Sequence, residues 1–238
     1  MVAVGAQERA SWLRRRLDPA SPRGLPLSLA SVIAGVFAAI LANLAQGITD
    51  REGIVRLDER MAHTLALHRG PSLTAVMRAV SWLGAYDVIV PLGVIVSAWF
   101  LSRRGDWSPA ARLLVAIAAT ATLSEALQNA VGRARPTLPL GFASVSGWGF
   151  PAERAAVCVA FYGVIAVLLS AGRARVSQVL VWVAMVLIVA LVGASRVYLG
   201  LHWFSDVVAG YALGGLMLCA VLAATLLARR PAPALVEA

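Results

Sequence analysis

Three short segments of this chain carry side chains whose types and spacing suit phosphate chemistry. The most informative is segment 195–206, which contains His202 and Asp206 four residues apart. On a helix, one turn brings such side chains to the same face. A carboxylate beside an imidazole fixes the tautomer and the orientation of the ring and supports positive charge on it. The spacing therefore predicts an oriented histidine that can act as a nucleophile.

Arg196 lies six residues before His202, and the Gly200 link predicts that both side chains reach the same point. A guanidinium can hold the equatorial oxygens of a phosphoryl group while an imidazole nitrogen attacks the phosphorus. Each residue alone has a plainer interpretation, because a single Arg or His at a membrane interface is commonly an anchor and an Asp at a helix start is commonly a cap. Their convergence favours a phosphate site.

The other two segments are 128–136, with Gln128 and Arg135, and 150–154, which ends at Arg154. Both fall at the same membrane face as the first segment in the topology given below. Charged side chains are costly at membrane depth, so a cluster of them there tends to mark function. We expect one outward-facing cluster made of Arg135, Arg154, Arg196 and His202.

The composition points to a bilayer as the setting. Of the 238 residues, 60% are apolar and 14% are charged, against about 45–50% and about 25% in soluble domains. These values exclude a cytosolic enzyme, a disordered tail and a disulfide-rich secreted module. All 21 basic residues are Arg and the net charge is +9. Between apolar blocks, arginines mark loops and anionic lipid surfaces, so we expect the lipid bilayer as partner and no nucleic acid.

Six apolar blocks approach or exceed the roughly 20 helical residues that span a bilayer core of about 30 Å. They predict an all-α polytopic membrane protein with six transmembrane helices, at residues 25–48, 86–101, 109–131, 155–171, 178–197 and 206–228. The first block is expected to be an uncleaved anchor rather than a signal peptide. We expect one membrane domain, 25–228, between a basic N-terminal segment, 1–24, and a tail, 229–238.

The arginines between the blocks predict the orientation. With the N-terminus inside, 11 arginines lie in the termini and inner segments and eight in the outer segments. Because cytoplasmic loops carry the excess of positive residues, both termini are predicted to be cytoplasmic. The three phosphate-suited segments then face the extracytoplasmic side of the cell (inner) membrane.

The segment between the first two blocks, 49–70, is predicted to be an amphipathic helix on the outer surface. Its apolar residues recur at helical spacing, and its four arginines are matched by four acids, among them Asp58 and Glu59. A solvated surface helix is the favoured interpretation, and a lid over a site is the alternative. The stretch 73–83 is also helical in pattern and is expected to pack against the second block.

Taken together, the three segments resemble the motifs of the type 2 phosphatidic acid phosphatases (PAP2), a family related to the vanadium haloperoxidases. The family pattern is Lys-x6-Arg-Pro, then Pro-Ser-Gly-His, then Ser-Arg-x5-His-x3-Asp, on six membrane helices with the site facing outward. The resemblance runs from about residue 57 to residue 228. The third motif is complete, as Ser195, Arg196, His202 and Asp206.

The first two motifs depart from the family pattern. The first keeps Arg135 and Pro136 but has Gln128 at the Lys position. The second keeps only its proline, and the Ser, Gly and His positions are occupied by Ala152, Glu153 and Arg154. Four of the 11 signature positions therefore differ.

The resemblance implies that His202 is a nucleophile that forms a phosphohistidine and that Asp206 orients it. It implies that the phosphate is bound at five of the other signature positions, which are Arg135, Arg196, Arg154, Gln128 and Ser195. No metal and no cofactor is implied, since the acids are few and surrounded by arginine. The missing second-motif histidine is the family's general acid, and a positioned acid typically supplies about 10²–10⁴-fold in rate.

Arg154 cannot replace that acid, because a guanidinium does not release a proton near neutral pH. Two other replacements remain open. Glu153 is either an acid or, as the favoured alternative, the partner of an arginine in an ion pair. His63 and His68, on the amphipathic segment, could supply a proton from above. Cys158 and Cys219 are predicted to be buried free thiols.

Three functions are compatible with these residues. The first is an altered phosphatase of lipid phosphates or diphosphates, with an isoprenyl diphosphate favoured because its leaving phosphate needs little protonation. The second is an inactive relative that binds a lipid phosphate or a membrane partner. The third is a structural membrane protein without an anion site.

Overall fold

The computed structural model describes residues 24–51, 53–137 and 147–228. In those ranges the chain forms eight helices and no strand: α1 (Leu25–Thr49), α2 (Gly53–Leu67), α3 (Pro71–Trp82), α4 (Tyr86–Arg104), α5 (Ser108–Val131), α6 (Glu153–Ser170), α7 (Arg175–Tyr198) and α8 (Phe204–Ala228). The predicted N-terminal segment (apart from residue 24) and the predicted tail lie outside the described residues.

Six of these helices are long and apolar enough to cross a membrane: α1, α4, α5, α6, α7 and α8. They coincide with the six predicted blocks and confirm an all-α polytopic membrane protein. Large apolar side chains cover their outer faces, and Val32 and Val176 are 66% and 72% exposed. Apolar surface of this extent suits contact with lipid.

Helix α6 is the centre of the bundle, because other helices rather than lipid cover most of its side chains. It packs against α5, α7 and α8. Phe161 of α6 is fully buried together with Ile89 of α4 and Val192 of α7. Cys158 and Cys219 are buried free thiols, as predicted.

Helix α8 approaches α6 closely because it carries glycine at two positions one turn apart. A Cβ added at Gly210 would lie 2.6 Å from the carbonyl oxygen of Ala152, and one added at Gly214 would collide with the carbonyl of Ala156. Small residues at this spacing let membrane helices pack backbone to backbone. The two helices therefore begin side by side, and the Ala152 N–H donates to the Asp206 carbonyl at 2.9 Å.

Two shorter helices cover the end of the bundle at which α6 and α8 begin, which we call the outer end. Helix α2 is amphipathic as predicted, but it packs against α1, α7 and α8 and buries Asp58. Helix α3 was expected from the sequence to pack on the second span, α4, but it packs chiefly on α7. The reason is Tyr198, whose hydroxyl lies 3.3 Å from both the Gly70 nitrogen and the Thr74 hydroxyl.

Candidate active site

His202 lies at the outer end of the bundle, in the link between α7 and α8. Gly200 in this link has φ +71°, a left-handed conformation that glycine adopts without strain. The N–H groups of Leu201 and His202 both donate to the Arg196 carbonyl, at 3.0 and 3.3 Å. The link thus folds back over the end of α7 and leaves His202 only 3% exposed.

The two ring nitrogens of His202 have different partners. Nδ1 lies 2.9 Å from the carbonyl oxygen of Gly149, and Nε2 lies 2.8 Å from Nη1 of Arg135. A carbonyl only accepts and a guanidinium only donates. Nδ1 therefore carries the proton, and Nε2 presents its lone pair towards Arg135.

The electrostatic surroundings of His202 favour its neutral form. Burial lowers the pKa of His202, and the nearby charges of Arg135 and Arg196 lower it further, whereas Asp206 opposes the shift. A neutral imidazole with a free Nε2 lone pair is the form that can attack phosphorus.

Asp206 fixes the turn that carries His202 rather than the ring itself. Its Oδ2 lies 3.8 Å from Nδ1 of His202, which is beyond hydrogen-bonding distance. That oxygen instead accepts the Trp203 N–H at 2.9 Å, in the manner of a capping box, while Oδ1 accepts Nη1 of Arg133 at 2.6 Å. The Gly149 carbonyl is the hydrogen-bond acceptor of the ring, and the Asp206 carboxylate lies just beyond it as a nearby charge.

Arg133 and Asp58 belong to the site's framework, although the sequence patterns do not single them out. Arg133 donates to Asp58 at 2.7 Å, to Asp206 at 2.6 Å and to the hydroxyl of Ser205 at 2.7 Å. Asp58 also accepts the backbone N–H and the hydroxyl of Ser205. Two buried carboxylates thus neutralise Arg133. Asp58 could not be told from the other acids of its segment, because only the packing of α2 selects it.

Arg135 is held beside His202 without a carboxylate partner. Its Nη1 donates to the Leu201 carbonyl at 3.0 Å and its Nε donates to the Gly147 carbonyl at 3.1 Å. Burial lowers the pKa of Arg135, Asp206 and Glu153 oppose that shift, and Arg154 adds to it. The charge of this guanidinium is therefore available to an anion.

Arg196 is a buried guanidinium with few hydrogen-bond partners. It is 6% exposed, its Nη1 lies 3.3 Å from the Ser81 hydroxyl, and its Nε has no hydrogen-bond partner among the described residues. Within the described ranges it forms no ion pair with a carboxylate. An unpaired buried charge is costly unless a ligand pairs with it. The position therefore suits an anion.

Arg154 lies in the first turn of α6 and lines a cavity of about 270 Å³ with Ser81 and Leu199. Because Ser81 also meets Arg196, this cavity adjoins the buried arginine. The structure thus brings together at one end the four residues expected to converge, Arg135, Arg154, Arg196 and His202.

Three other predicted residues have partners within the protein. Gln128 donates to the Pro151 carbonyl at 3.0 Å, and Ser195 donates to the Val192 carbonyl at 2.6 Å inside its own helix. Glu153 accepts the Tyr86 hydroxyl and forms no ion pair with an arginine of the described chain. The ion pair favoured for Glu153 from the sequence is therefore absent, because Tyr86 at the start of α4 occupies the carboxylate.

His63 of α2 and His68, which directly follows α2, are exposed. Nδ1 of His68 lies 2.8 Å from the carbonyl of Thr64 in the last turn of that helix. Neither His63 nor His68 makes a hydrogen bond to His202 or to the surrounding arginines in the described chain.

Comparison with known proteins gives matches to one family. The model of the PAP2 superfamily matches residues 109–230. Phosphatidylglycerophosphatase B of Bacillus subtilis (strain 168) is 32% identical over 195 residues, which are 81% of this chain and 90% of that protein.

Two solved structures have the same helical arrangement. The transmembrane PAP2 type phosphatidylglycerolphosphate phosphatase from Bacillus subtilis superposes with a TM-score of 0.76 at 28% identity, over 83% of this chain and 98% of that one. Aquifex aeolicus LpxE gives a TM-score of 0.52 at 21% identity, over 71% of this chain and 95% of the other. At that identity the second match speaks for the fold alone.

Proposed function

We propose, from the premise that this chain belongs to the PAP2 superfamily, that it hydrolyses the phosphate or diphosphate head group of a membrane lipid, with an isoprenyl diphosphate favoured. The observation that carries this proposal is a difference in charge balance. Arg133 is neutralised by two carboxylates, whereas Arg135 and Arg196 have none within 4 Å in the described chain. Arg135 lies 2.8 Å from Nε2 of His202, and Arg196 is close enough to lower the pKa of the ring. Two unneutralised guanidiniums around this nucleophile suit a phosphoryl group.

The chemistry begins with His202. Its Nε2 lone pair attacks phosphorus, the N–P bond forms, and the P–O bond to the leaving group breaks with its electron pair on that oxygen. The hydrogen bond from Nδ1 to the Gly149 carbonyl stabilises the positive charge that develops on the ring. Water then hydrolyses the phosphohistidine and returns the lone pair to Nε2.

Arg135 and Arg196 bind the non-bridging oxygens in this scheme. In the unliganded arrangement Nη1 of Arg135 lies against Nε2 of His202. An entering phosphate offers this guanidinium charged oxygens, and bonds between ionised partners are roughly twice as strong as neutral ones. When Arg135 turns from Nε2 of His202 to these oxygens, it frees the nucleophile. The same turn binds the phosphoryl group that the nucleophile attacks.

The preference for a diphosphate follows from the leaving group. A monoester leaves as an alkoxide of high pKa that must be protonated. The residue at the acid position is Arg154, and its neighbour Glu153 accepts the hydroxyl of Tyr86. A diphosphate leaves as a phosphate of low pKa, so its departure depends much less on a proton donor.

A second candidate is a protein that binds a lipid phosphate, or a membrane partner, without hydrolysing it. The observation that favours it is that Arg154 stands where the family has its proton donor. Replacement of the proton donor by a permanent cation keeps an anion bound but removes the proton that most leaving groups require.

We also propose that the outer end faces the extracytoplasmic side of the cell (inner) membrane, with both termini in the cytoplasm. The excess of arginine in the termini and the inner segments, relative to the outer segments, supports this orientation. The head group would then enter from the extracytoplasmic leaflet.

The test is phosphate release by the full-length protein in detergent. Farnesyl diphosphate, phosphatidic acid and phosphatidylglycerophosphate are compared, the last because the Bacillus subtilis relative is named for it. We expect the fastest release from farnesyl diphosphate, no release by His202→Ala, and unchanged release by the exposed control His63→Ala.

Each result discriminates. Faster release from phosphatidic acid would contradict the diphosphate preference. Binding without release would establish the second candidate. Neither binding nor release of any of the three lipids would overturn both.

A further inference from the structure

The cavity beside Arg196 contains a second set of charged residues that the mechanism above does not use. It has a volume of about 270 Å³ and lies between α3, α4, α6 and the end of α7. Its lining includes Arg78 of α3 and Arg154 of α6, with Asp87 of α4 as the carboxylate among the lining residues. The lining therefore carries a net positive charge.

This cavity adjoins the phosphate site. Ser81 lines the cavity and its hydroxyl lies 3.3 Å from Nη1 of Arg196. Leu199, another lining residue, is three positions from His202 in the same link. Arg154 is close enough to Arg135 to lower the pKa of that residue. Two groups of arginines thus lie side by side, one at the nucleophile and one in the adjoining cavity.

The edge of the cavity is suited to a lipid. Trp82 lines it and is 58% exposed. Tryptophan is favoured at the level of lipid head groups, where its ring is partly in contact with chains and partly with water. If the polar end of a lipid enters between Arg78 and Arg154, its hydrocarbon chain can extend past the ring of Trp82 into the bilayer.

We propose that this cavity is a second anion subsite, in which Arg154 and Arg78 bind the inner phosphate of a lipid diphosphate while the terminal phosphate lies at Arg135, Arg196 and His202. The inference rests on the proposed function and specifies its substrate class. Arg154 here contributes to specificity, at the position where a proton donor is missing.

The subsite also accounts for departure of the leaving group. The bond from Nε2 to the terminal phosphorus forms, the bridging P–O bond breaks, and its electron pair remains on the lipid monophosphate. Positive charge from Arg154 and Arg78 stabilises the negative charge that this product gains. A diphosphate thus needs a cation at the place where a monoester needs a proton, and the reaction ends at the lipid monophosphate.

The test is a binding comparison between two ligands that share one chain, farnesyl diphosphate and farnesyl monophosphate. Titration calorimetry in detergent, on the full-length chain carrying His202→Gln so that nothing is hydrolysed, gives both affinities. Arg154→Gln and Arg78→Gln should each weaken the diphosphate about tenfold and the monophosphate less than about twofold, because each removes a charge-assisted bond to one phosphate.

Three further variants make the result specific. Arg196→Gln should weaken both ligands, since it acts at the shared terminal phosphate. Arg103→Gln removes an exposed arginine at the opposite end of α4 and should change neither affinity. Arg154→Lys keeps the charge and should retain part of the preference for the diphosphate, which guards against a variant that merely misfolds.

The outcomes separate the two proposals. Equal weakening of both ligands by Arg154→Gln and Arg78→Gln, or no weakening, overturns the second subsite while the proposed function stands. If neither ligand binds to the His202→Gln chain or to the unsubstituted protein, the proposed function itself is overturned. Inorganic diphosphate is the last arm. If it binds as tightly as farnesyl diphosphate, the lipid part of the inference is wrong, and weaker binding supports it.

Discussion

Asp58 of α2 and Arg133, which follows α5, form an ion pair of 2.7 Å in which the Asp58 side chain is fully buried and the Arg133 side chain is 9% exposed. Through Ser205 and Asp206 the same two residues bond to the start of α8 and thus to the turn that carries His202. Helix α2 is therefore part of the frame of the site. Neither a freely solvated surface helix nor a detached lid describes it.

Asp58→Asn should lower the stability of the protein markedly. The change keeps the shape of the side chain but leaves Arg133 with one carboxylate instead of two, and disruption of a buried ion pair costs about 3–5 kcal/mol. Thermal unfolding in detergent measures the effect. Glu59→Gln, an exposed neighbour on the same helix, is the matched control, and equal Tm values for the two variants would show that the pair contributes nothing.

Arg133→Met and Arg196→Met should have opposite effects on stability. The first leaves two buried carboxylates without their cation and should cost about 3–5 kcal/mol. The second removes a buried cation that has no counter-ion and should be neutral or stabilising. Arg196→Met should at the same time abolish binding of farnesyl diphosphate. Tm and binding are measured on the same preparations, and a large loss of stability in Arg196→Met would refute the charge argument.

The pH dependence of phosphohistidine formation should reflect the lowered pKa of His202. Burial, together with Arg135 and Arg196, favours the neutral ring, and only the neutral ring is a nucleophile. As the pH falls through about 6.5, where an ordinary histidine takes up its proton, formation should therefore stay at its plateau and decline only at lower pH. The measurement is alkali-stable phosphoenzyme against pH. A half-maximal value at or above pH 6.5 would contradict the expectation.

The same shift should make stability decline in acid. The unfolded chain takes up the His202 proton at a higher pH than the folded one, so folded stability decreases as pH falls below about 6.5. Replacement of His202 by Gln removes this contribution. Tm measured between pH 7 and pH 5 should therefore decrease less in His202→Gln than in the parent protein.

Arg154→His should shift the preference between substrates. A histidine at this position can protonate an alkoxide, and a positioned acid is worth about 10²–10⁴-fold. The rate on phosphatidic acid should therefore rise relative to the rate on farnesyl diphosphate. Arg154→Asn also removes the charge but donates no proton at neutral pH, so it should not produce the rise. If the two variants behave alike, proton donation is not the missing element.

Gly214→Ala should weaken the bundle at its centre. The added Cβ would collide with the carbonyl of Ala156, and backbone atoms of a packed helix cannot move aside cheaply. Gly35→Ala on α1 is the control, since a Cβ there meets nothing within 4 Å and alanine is the better helix former by about 1 kcal/mol. We expect a lower Tm for the first variant and an equal or higher one for the second.

The helices themselves follow from the sequence. Runs of about 20 apolar residues have few alternatives to a membrane-spanning helix, because backbone polar groups in lipid must be satisfied within the segment. The six predicted blocks therefore coincide with the six spans. The spacing of Ser195, Arg196, His202 and Asp206 likewise identified the family on residues alone.

The partners of the polar side chains did not follow from the sequence. The spacing placed Asp206 beside His202, and the two are 3.8 Å apart, but it did not reveal that the carboxylate also accepts the Trp203 N–H and binds Arg133. Glu153 was expected to pair with an arginine, but the start of α4 brings Tyr86 to it. Such choices depend on which helices pack side by side, and spacing within one segment carries no information about that.

What the sequence determined alone is the family, the membrane setting and the presence of four residues able to bind and attack a phosphate. What only the tertiary structure decided is which arginines remain free for that task. Arg133 and Arg135 are two residues apart and chemically identical, yet one meets two buried carboxylates and the other meets His202. The physical reason is that an arginine is neutralised by the carboxylates that lie close to it in three dimensions, wherever they lie in the sequence. The packing of α2 and α8 brings two carboxylates to Arg133 and none to Arg135, which stays available for the ligand.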